Sequence, residues 1–199
     1  MAFFKLTKFR NRWDGIAPYQ GVILFFVIMM LANWTWKTFV HDGDYDSYVS
    51  LFGYNISWPF IKIQHEVVRV VSLVYVLFDL PFGIRHATEF TFSNGTASDV
   101  AWGCTAVKQA FIYTCIIAFS RGPWKHKWWY ILAAFPILHT FNVIRISAIG
   151  MVLAYHPHYF YLAHKIIFKY SFYFLIFLLW VLWEEVFRLR PLKKNSASQ

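Results

Sequence analysis

Three side chains with useful chemistry stand at the edges of long apolar runs in this chain: Cys104, Arg145 and His164. A cysteine thiolate is a nucleophile, and a neighbouring imidazole can lower the thiol pKa or take its proton. A guanidinium can stabilise the oxyanion of a tetrahedral intermediate or orient a substrate carbonyl. If the fold brings the three groups together, they can form a thioester acyl-enzyme, which water or an amine then resolves.

The composition of the 199 residues indicates a membrane protein, since 58% are hydrophobic, 22% are aromatic and only 15% are charged. Soluble domains carry about 25% charged residues, and here the apolar residues form long runs rather than amphipathic patterns. The net charge of +9 is concentrated at the two chain ends and in one short loop. This distribution is typical of membrane topology signals, so we expect no nucleic-acid partner.

Four apolar runs predict membrane crossings, at residues 19–39, 103–120, 128–155 and 160–184. The basic segments 1–18 and 186–199 predict that both chain ends are cytoplasmic, which requires an even number of crossings. We therefore predict an all-α polytopic bundle of about four transmembrane helices in the cell membrane, with residues 1–199 as one membrane-embedded domain. Six crossings are the alternative, if the run 128–155 is split near Asn142.

Two further elements are expected besides the four crossings. A mostly polar stripe runs through residues 65–83, formed by His65, Arg69, Ser72 and Asp79. That stripe favours an interfacial or re-entrant helix over a further crossing. The segment that starts at Glu89 and turns at Asn94-Gly95 predicts a small β-hairpin on the outer face, just before Cys104.

Charge bias and helix rise place the three reactive side chains at one depth on the outer face. Cys104 begins its crossing at the outer end, and His164 lies near the outer start of the last crossing. Arg145 stands 17 residues after Trp128, which is about 26 Å along a helix that starts inside. An ionisable residue within a crossing costs about 2.5 kcal/mol or more, so it indicates function by default.

Three motifs in this order resemble those of the exosortase/archaeosortase family: WGCT around Cys104, FNVIRI around Arg145 and AHKIIFKYSFYF around His164. The resemblance covers roughly residues 65–185. It implies a polytopic membrane cysteine transpeptidase, an exosortase-like core over that range, and a catalytic set formed by the three residues. It also implies partners, namely exported proteins that end in a short motif, a hydrophobic helix and a basic cluster, and a lipid or surface acceptor.

The residues after the cysteine follow the family pattern in part. Members usually have Ser or Thr and then Gly at these positions. Thr105 fits this pattern, but Ala106 replaces the glycine. The replacement weakens the assignment to a main exosortase subfamily.

Four further residues are candidates for hydrogen bonding within the site or for substrate binding: Thr105, Lys108, His139 and Asn142. His139 and Asn142 are one turn apart on the helix of the candidate arginine, and His139 is an alternative general base. Lys108, one turn below the candidate cysteine, either depresses the thiol pKa or pairs with an acidic side chain.

No metal site or cofactor is expected. His156 and His158 stand in one loop without a nearby carboxylate, a poor set of ligands for a metal ion. Cys104 and Cys115 form no CxxC pair, and within one helix they are too far apart for a disulfide.

Two functional hypotheses stay open at this point. The first is a membrane thiol transpeptidase whose site faces outward. The second is a non-catalytic membrane assembly or lipid-binding component, which uses Arg145 and the histidines to bind an anionic lipid or a partner helix. The enzyme requires a reactive thiol at Cys104, whereas the second hypothesis tolerates Cys104→Ala. A secondary transporter is disfavoured, because no inverted repeat is visible.

Overall fold

The structure is a computed structural model that describes residues 20–42 and 49–189. The predictions for the basic N-terminal segment 1–18 and for the last ten residues of the basic tail, 190–199, lie outside the described residues.

The described chain is dominated by helices. Its α-helices are α1 (Gln20–Phe39), α2 (Ser57–Leu77), α3 (Val107–Phe119), α4 (Trp124–Tyr155) and α5 (Phe168–Trp183). Short 3-10 turns cover Trp102–Cys104 and Pro157–Tyr159, and π-helical segments cover Leu162–Ile167 and Glu184–Leu189. The prediction of an all-α polytopic membrane protein is confirmed.

In the described part of the chain, three helical stretches are long and apolar enough to cross a membrane: α1, α4 and the stretch Pro157–Leu189 that contains α5. The fourth predicted crossing, 103–120, is shorter than expected, because α3 starts only at Val107 and has 13 residues. The alternative with six crossings required a break near Asn142. The helix α4 instead runs without interruption for 32 residues, through both Pro136 and Asn142.

The four helices α1, α3, α4 and α5 alternate in direction. At one end, Arg121 after α3 donates a hydrogen bond from Nη1 to Oε1 of Gln20, the first residue of α1, at 3.2 Å. Towards the other end, the rings of Trp36 in α1 and Phe111 in α3 lie 5.4 Å apart. The start of α4 meets the end of α5, where the Tyr130 hydroxyl donates to the Leu179 carbonyl oxygen at 2.7 Å. The first end therefore collects basic residues, and Cys104 lies at the second.

The helix α2 differs from its prediction at both boundaries. It begins at Ser57 and ends at Leu77, whereas the polar stripe suggested residues 65–83. Asp79 lies in the turn after the helix, with φ of 51°. The buried face of α2 includes Val67 and Val71 and packs against α4. This helix is not among the candidate membrane spans of the described chain, so its interfacial or re-entrant placement stays a prediction.

Within residues 20–42 and 49–189, two small antiparallel sheets lie at the Cys104 end. One has the order β1 (Val40–Asp42), β2 (Val49–Leu51), β3 (Tyr54–Asn55), and the other β4 (Phe82–Arg85), β5 (Glu89–Phe92), β6 (Ala97–Asp99). The pair β5–β6 is the predicted hairpin, with Gly95 at φ of +82° in its turn. Strand β4 extends that hairpin and was not predicted. The second sheet packs against α4, and this contact positions the segment that leads to the cysteine.

Candidate functional site

Cys104 ends a 3-10 turn and does not begin α3. Its backbone N–H donates to the Ala101 carbonyl oxygen at 2.8 Å. The buried Thr105 follows, and Ala106 then adopts a left-handed conformation, with φ of 60°, as the residue before α3. The expectation that Cys104 opens its helix is therefore wrong, because the chain reverses its backbone twist at Ala106 before the helix starts. The N–H groups of the first turn of α3 begin three residues beyond the thiol.

Two amide side chains hold the turn of Cys104 between α2 and α4. From α2, the buried Gln64 donates from Nε2 to the carbonyl oxygen of Val100, just before the turn. From α4, Asn142 donates from Nδ2 to the carbonyl oxygen of Cys104 at 2.6 Å. Asn142 was a candidate for a contact within the site, and its position beside Cys104 gives it one. Gln64 was missed, since a glutamine in an amphipathic helix carries no signal of its distant partner.

Arg145 stands on the same face of α4, three residues after Asn142, and its side chain is buried, with 8% of the residue exposed. Its guanidinium interacts electrostatically with both Cys104 and His164. Among the described residues, no carboxylate forms an ion pair with it. A buried cation without an internal counter-ion is costly. It is therefore available to an anion that forms or binds next to it.

His164 belongs to the π-helical segment Leu162–Ile167. Its ring stacks on that of Phe160, with centroids 5.3 Å apart and planes within 5°. Both Phe160 and Cys104 pack against one apolar cluster that includes Val143 and Ile146 of α4. The structure thus brings Cys104, Arg145 and His164 to one region. π-helical turns are rare and are often found at functional sites.

Unpaired buried polar atoms are concentrated in this region. Five side-chain atoms of the described residues are buried without a hydrogen-bond partner, and three of them are Asn142 Oδ1, Arg145 Nε and His164 Nδ1. Such an atom costs about 1–3 kcal/mol relative to a satisfied one. A native structure accepts this cost where a ligand, a water or a reacting group completes the bond.

Burial is the main influence on the pKa of Cys104, and it raises the pKa above the usual range of a cysteine. The Arg145 guanidinium and a backbone hydrogen bond at Ala101 lower the pKa, and the Asp99 carboxylate raises it. Burial outweighs the neighbouring charges. Of the two roles expected of an imidazole, lowering this pKa or taking the thiol proton, the second stays a prediction. At neutral pH the resting group is a thiol, so its use as a nucleophile requires a base. Asp99 was missed, although it stands only five residues before the cysteine.

The remaining candidates lie at different distances from this region. His139 precedes Arg145 by six residues, about 9 Å along the axis of α4, and it is partly buried. Lys108 is partly buried in the first turn of α3. In the described part of the chain, no group of three or more His, Cys, Asp and Glu side chains is placed to hold a metal ion.

Space is open beside the cysteine. A Cβ atom added to Gly103 would meet no heavy atom within 4 Å. A second space, here called the apolar groove, has a volume of about 590 Å³ and is lined by side chains of α1, α2, α3, α4 and the first sheet. Its lining includes Trp36, Phe39, Phe60, Val107 and Phe111. Val107, which lines the groove, is three residues after Cys104 in the chain.

Comparison with known proteins gives one family. A family model described as transmembrane exosortase matches residues 48–181, a range that includes Cys104, Arg145 and His164. No curated protein and no solved structure gives a significant match. Because the match covers well over half of the 199 residues, this chain belongs to the transmembrane exosortase family.

Proposed function

We propose that this protein is a membrane cysteine transpeptidase that cleaves the C-terminal sorting tail of exported proteins and transfers them to a lipid or surface acceptor. The observation that carries the proposal is the buried Arg145 guanidinium, which has no carboxylate partner among the described residues and interacts with both Cys104 and His164. A nucleophile, a base and a cation in one region are the parts that acyl transfer requires.

The first half of the reaction forms the acyl-enzyme. Cys104 Sγ attacks the scissile carbonyl carbon while its proton moves to the His164 imidazole. The carbonyl oxygen becomes an oxyanion beside the Arg145 guanidinium. Collapse of this intermediate breaks the C–N bond, and the imidazolium returns its proton to the departing amine of the tail. A thioester between the exported protein and Cys104 remains.

The second half of the reaction transfers the protein. An amine or hydroxyl of the acceptor gives its proton to His164 and attacks the thioester carbonyl. The C–S bond then breaks, and the thiolate takes the proton back. His164 is needed in the first half because the raised pKa of Cys104 keeps the resting group protonated. It is needed in the second half because the acceptor must lose a proton as it attacks. We place this site on the outer face of the membrane and both chain ends in the cytoplasm, since the basic Arg121 and Lys125 lie at the opposite end of the bundle.

Co-expression tests the proposal directly. A secreted protein with a tripartite tail from the same genome is expressed with the natural chain, with Cys104→Ser, or with the matched control Cys115→Ser. Intact mass spectrometry reads the tail and any added acceptor mass. We expect the tail to be lost with the natural chain and with Cys115→Ser, and to be retained with Cys104→Ser. If every candidate secreted protein kept its tail when expressed with the natural chain, the proposal would be contradicted.

The apolar groove favours a second candidate function, a non-catalytic lipid-binding role. Its volume of about 590 Å³ is within the range of small-molecule sites, about 300–1,000 Å³. It is too small to enclose a helix, whose diameter is about 10–12 Å with side chains. Full complementation of a deletion strain by Cys104→Ala would favour this second function over the first.

A further inference from the structure

The Asn142 side chain has two ends with different surroundings. The residue has 0% exposed surface, and its Nδ2 donates to the carbonyl oxygen of Cys104 at 2.6 Å. A carbonyl oxygen only accepts hydrogen bonds, so the nitrogen of the amide must face Cys104. Oδ1 therefore points to the other side of the carboxamide, where it is buried without a partner.

Arg145 stands one helical turn away and supplies the complementary group. Residues three apart on a helix lie on one face, with Cβ atoms about 5–6 Å apart. The Nε–H of Arg145 is a donor without a partner, and Asn142 Oδ1 is an acceptor without a partner. Neighbouring positions on α4 thus present one unused acceptor and one unused donor.

The other three unpaired atoms do not belong to this pair. His164 Nδ1 lies outside α4, in the π-helical segment Leu162–Ile167. Ser147 is two residues after Arg145, about 200° around the helix and so on a different face. Gln109 belongs to α3, three residues before Ile112 in the bundle core. The pairing of an acceptor with a donor is therefore particular to the side of α4 that faces Cys104.

We propose that Asn142 binds the substrate, with Oδ1 accepting a hydrogen bond from a backbone N–H of the peptide while Nδ2 holds the Cys104 turn. This inference rests on the proposed function. A peptide unit offers one N–H donor and one C=O acceptor. The N–H matches the acceptor Asn142 Oδ1, and the C=O matches the donor Arg145 Nε–H. A neutral amide suits this place, because a carboxylate there would repel the oxyanion that Arg145 stabilises.

The rival explanation is an ordered water on Oδ1, which satisfies buried acceptors in many proteins. Chemical probes separate the two. The reagent acetyl-Ala-Ala-chloromethyl ketone alkylates a thiol, which displaces chloride. Two analogues replace one amide each by an ester, which removes a single N–H. Labelling rates of Cys104 are read by intact mass in a Cys115→Ser background, relative to chloroacetone, which reports the reactivity of the thiol alone.

We expect one ester analogue to label the protein with Asn142 intact about fivefold to tenfold more slowly than the amide, the effect of one lost hydrogen bond. Asn142→Leu has no acceptor, so this penalty should disappear there. Asn142→Asp keeps an acceptor oxygen in either protonation state, so the penalty should persist. A role limited to packing would alter the chloroacetone rate and leave the amide-to-ester ratio unchanged.

Equal ratios for both analogues, with Asn142 intact and in Asn142→Leu, would overturn the inference and favour the ordered water. Labelling by the dipeptide no faster than by chloroacetone would overturn it as well. The proposed function has its own separate test in Cys104→Ser. If the co-expressed protein keeps its sorting tail with Cys104→Ser while the labelling ratios stay equal, the transpeptidase function is supported and only the role of Asn142 is contradicted.

Discussion

Lys127 donates a hydrogen bond from Nζ to the carbonyl oxygen of Ser120 at 2.7 Å, and so places a buried cation at the C-terminal end of α3. A second bond reaches the Ala118 carbonyl oxygen at 2.8 Å. The other end of α3 is approached by the bond from Asn142 to Cys104. Because both Lys127 and Asn142 belong to α4, this one helix fixes the height and the position of the Cys104 turn.

Replacement of Lys127 by Met should destabilise the fold by about 1–3 kcal/mol, since it leaves two acceptors at a buried helix end without their donor. Lys125→Met removes the same charge from the same first turn of α4, but Lys125 is exposed, so the change should stay within about 0.5 kcal/mol. Chemical unfolding in detergent, followed by circular dichroism, measures both. Equal effects would mean that Lys127 acts only through its charge.

Ala106 occupies a left-handed conformation in which a glycine would be free of strain. The conformation costs other residues about 1–2 kcal/mol, and a β-branched side chain tolerates it least. We expect Ala106→Gly to keep the stability within about 1 kcal/mol, because relief of strain offsets the greater entropy of the unfolded chain. Ala106→Val should lower the thermal midpoint by several degrees. Ala110→Val, inside α3, is the matched control and should have the smaller effect.

Alkylation of Cys104 by iodoacetamide should accelerate with pH, with a midpoint above that of a free cysteine, because burial raises the thiol pKa. Asp99→Asn removes a negative charge and should move the midpoint to lower pH. Arg145→Gln removes a positive charge and should move it to higher pH. Rates are measured in a Cys115→Ser background.

Glu89→Gln is the control for this profile. Glu89 lies opposite Asp99 across the strands β5 and β6. Its replacement tests whether the loss of any negative charge from the sheet shifts the alkylation midpoint. We expect no shift of the midpoint in this variant. A shift as large as that of Asp99→Asn would show that the effect is not specific to Asp99.

Gly150 lets the Tyr75 ring lie against α4. A Cβ at this position would overlap the Tyr75 hydroxyl and approach Phe92 Cζ to 3.1 Å. Gly150→Ala should therefore cost about 1–3 kcal/mol through overpacking, despite the better helix propensity of alanine. The cost should shrink in a Tyr75→Phe background, which lacks the hydroxyl oxygen. An unchanged cost would mean that the hydroxyl is not the source of the strain. Thermal unfolding of the natural protein, the two single variants and the double variant measures the cost in each background.

The long helices were predictable, because their apolar runs exceed the length that a bilayer requires. The convergence of Arg145 and His164 near Cys104 followed from helix rise and from the alternation of direction. The start of α3 was not predictable in this way. The sequence after Cys104 suits a helix locally, and the left-handed turn at Ala106 depends on how the segment is held by Gln64 and Asn142.

The first turns of α2 and strand β4 were missed for similar reasons. Residues 57–64 contain Pro59 and two aromatic residues, a pattern without clear helical periodicity. Their buried face, formed by Ser57, Phe60 and Gln64, is visible only in the structure. Strand β4 is short, and its pairing with β5 is set by packing on Tyr75, with Phe82 5.3 Å and Phe90 5.0 Å from that ring. Such contacts depend on partners distant in the chain, which local patterns do not reveal.

The 13 residues of α3 give a rod of about 20 Å, whereas the hydrocarbon core of a bilayer is about 30 Å thick. If its polar flanks, the loop at Arg121 and the turn at Cys104, both reach the headgroups, the lipid beside α3 must become thinner by about a third. Compression of this kind costs a fraction of a kcal/mol per Å and grows with lipid chain length. If α3 spans the membrane in this way, we expect the protein to be most active among short-chain lipids, which require the least compression.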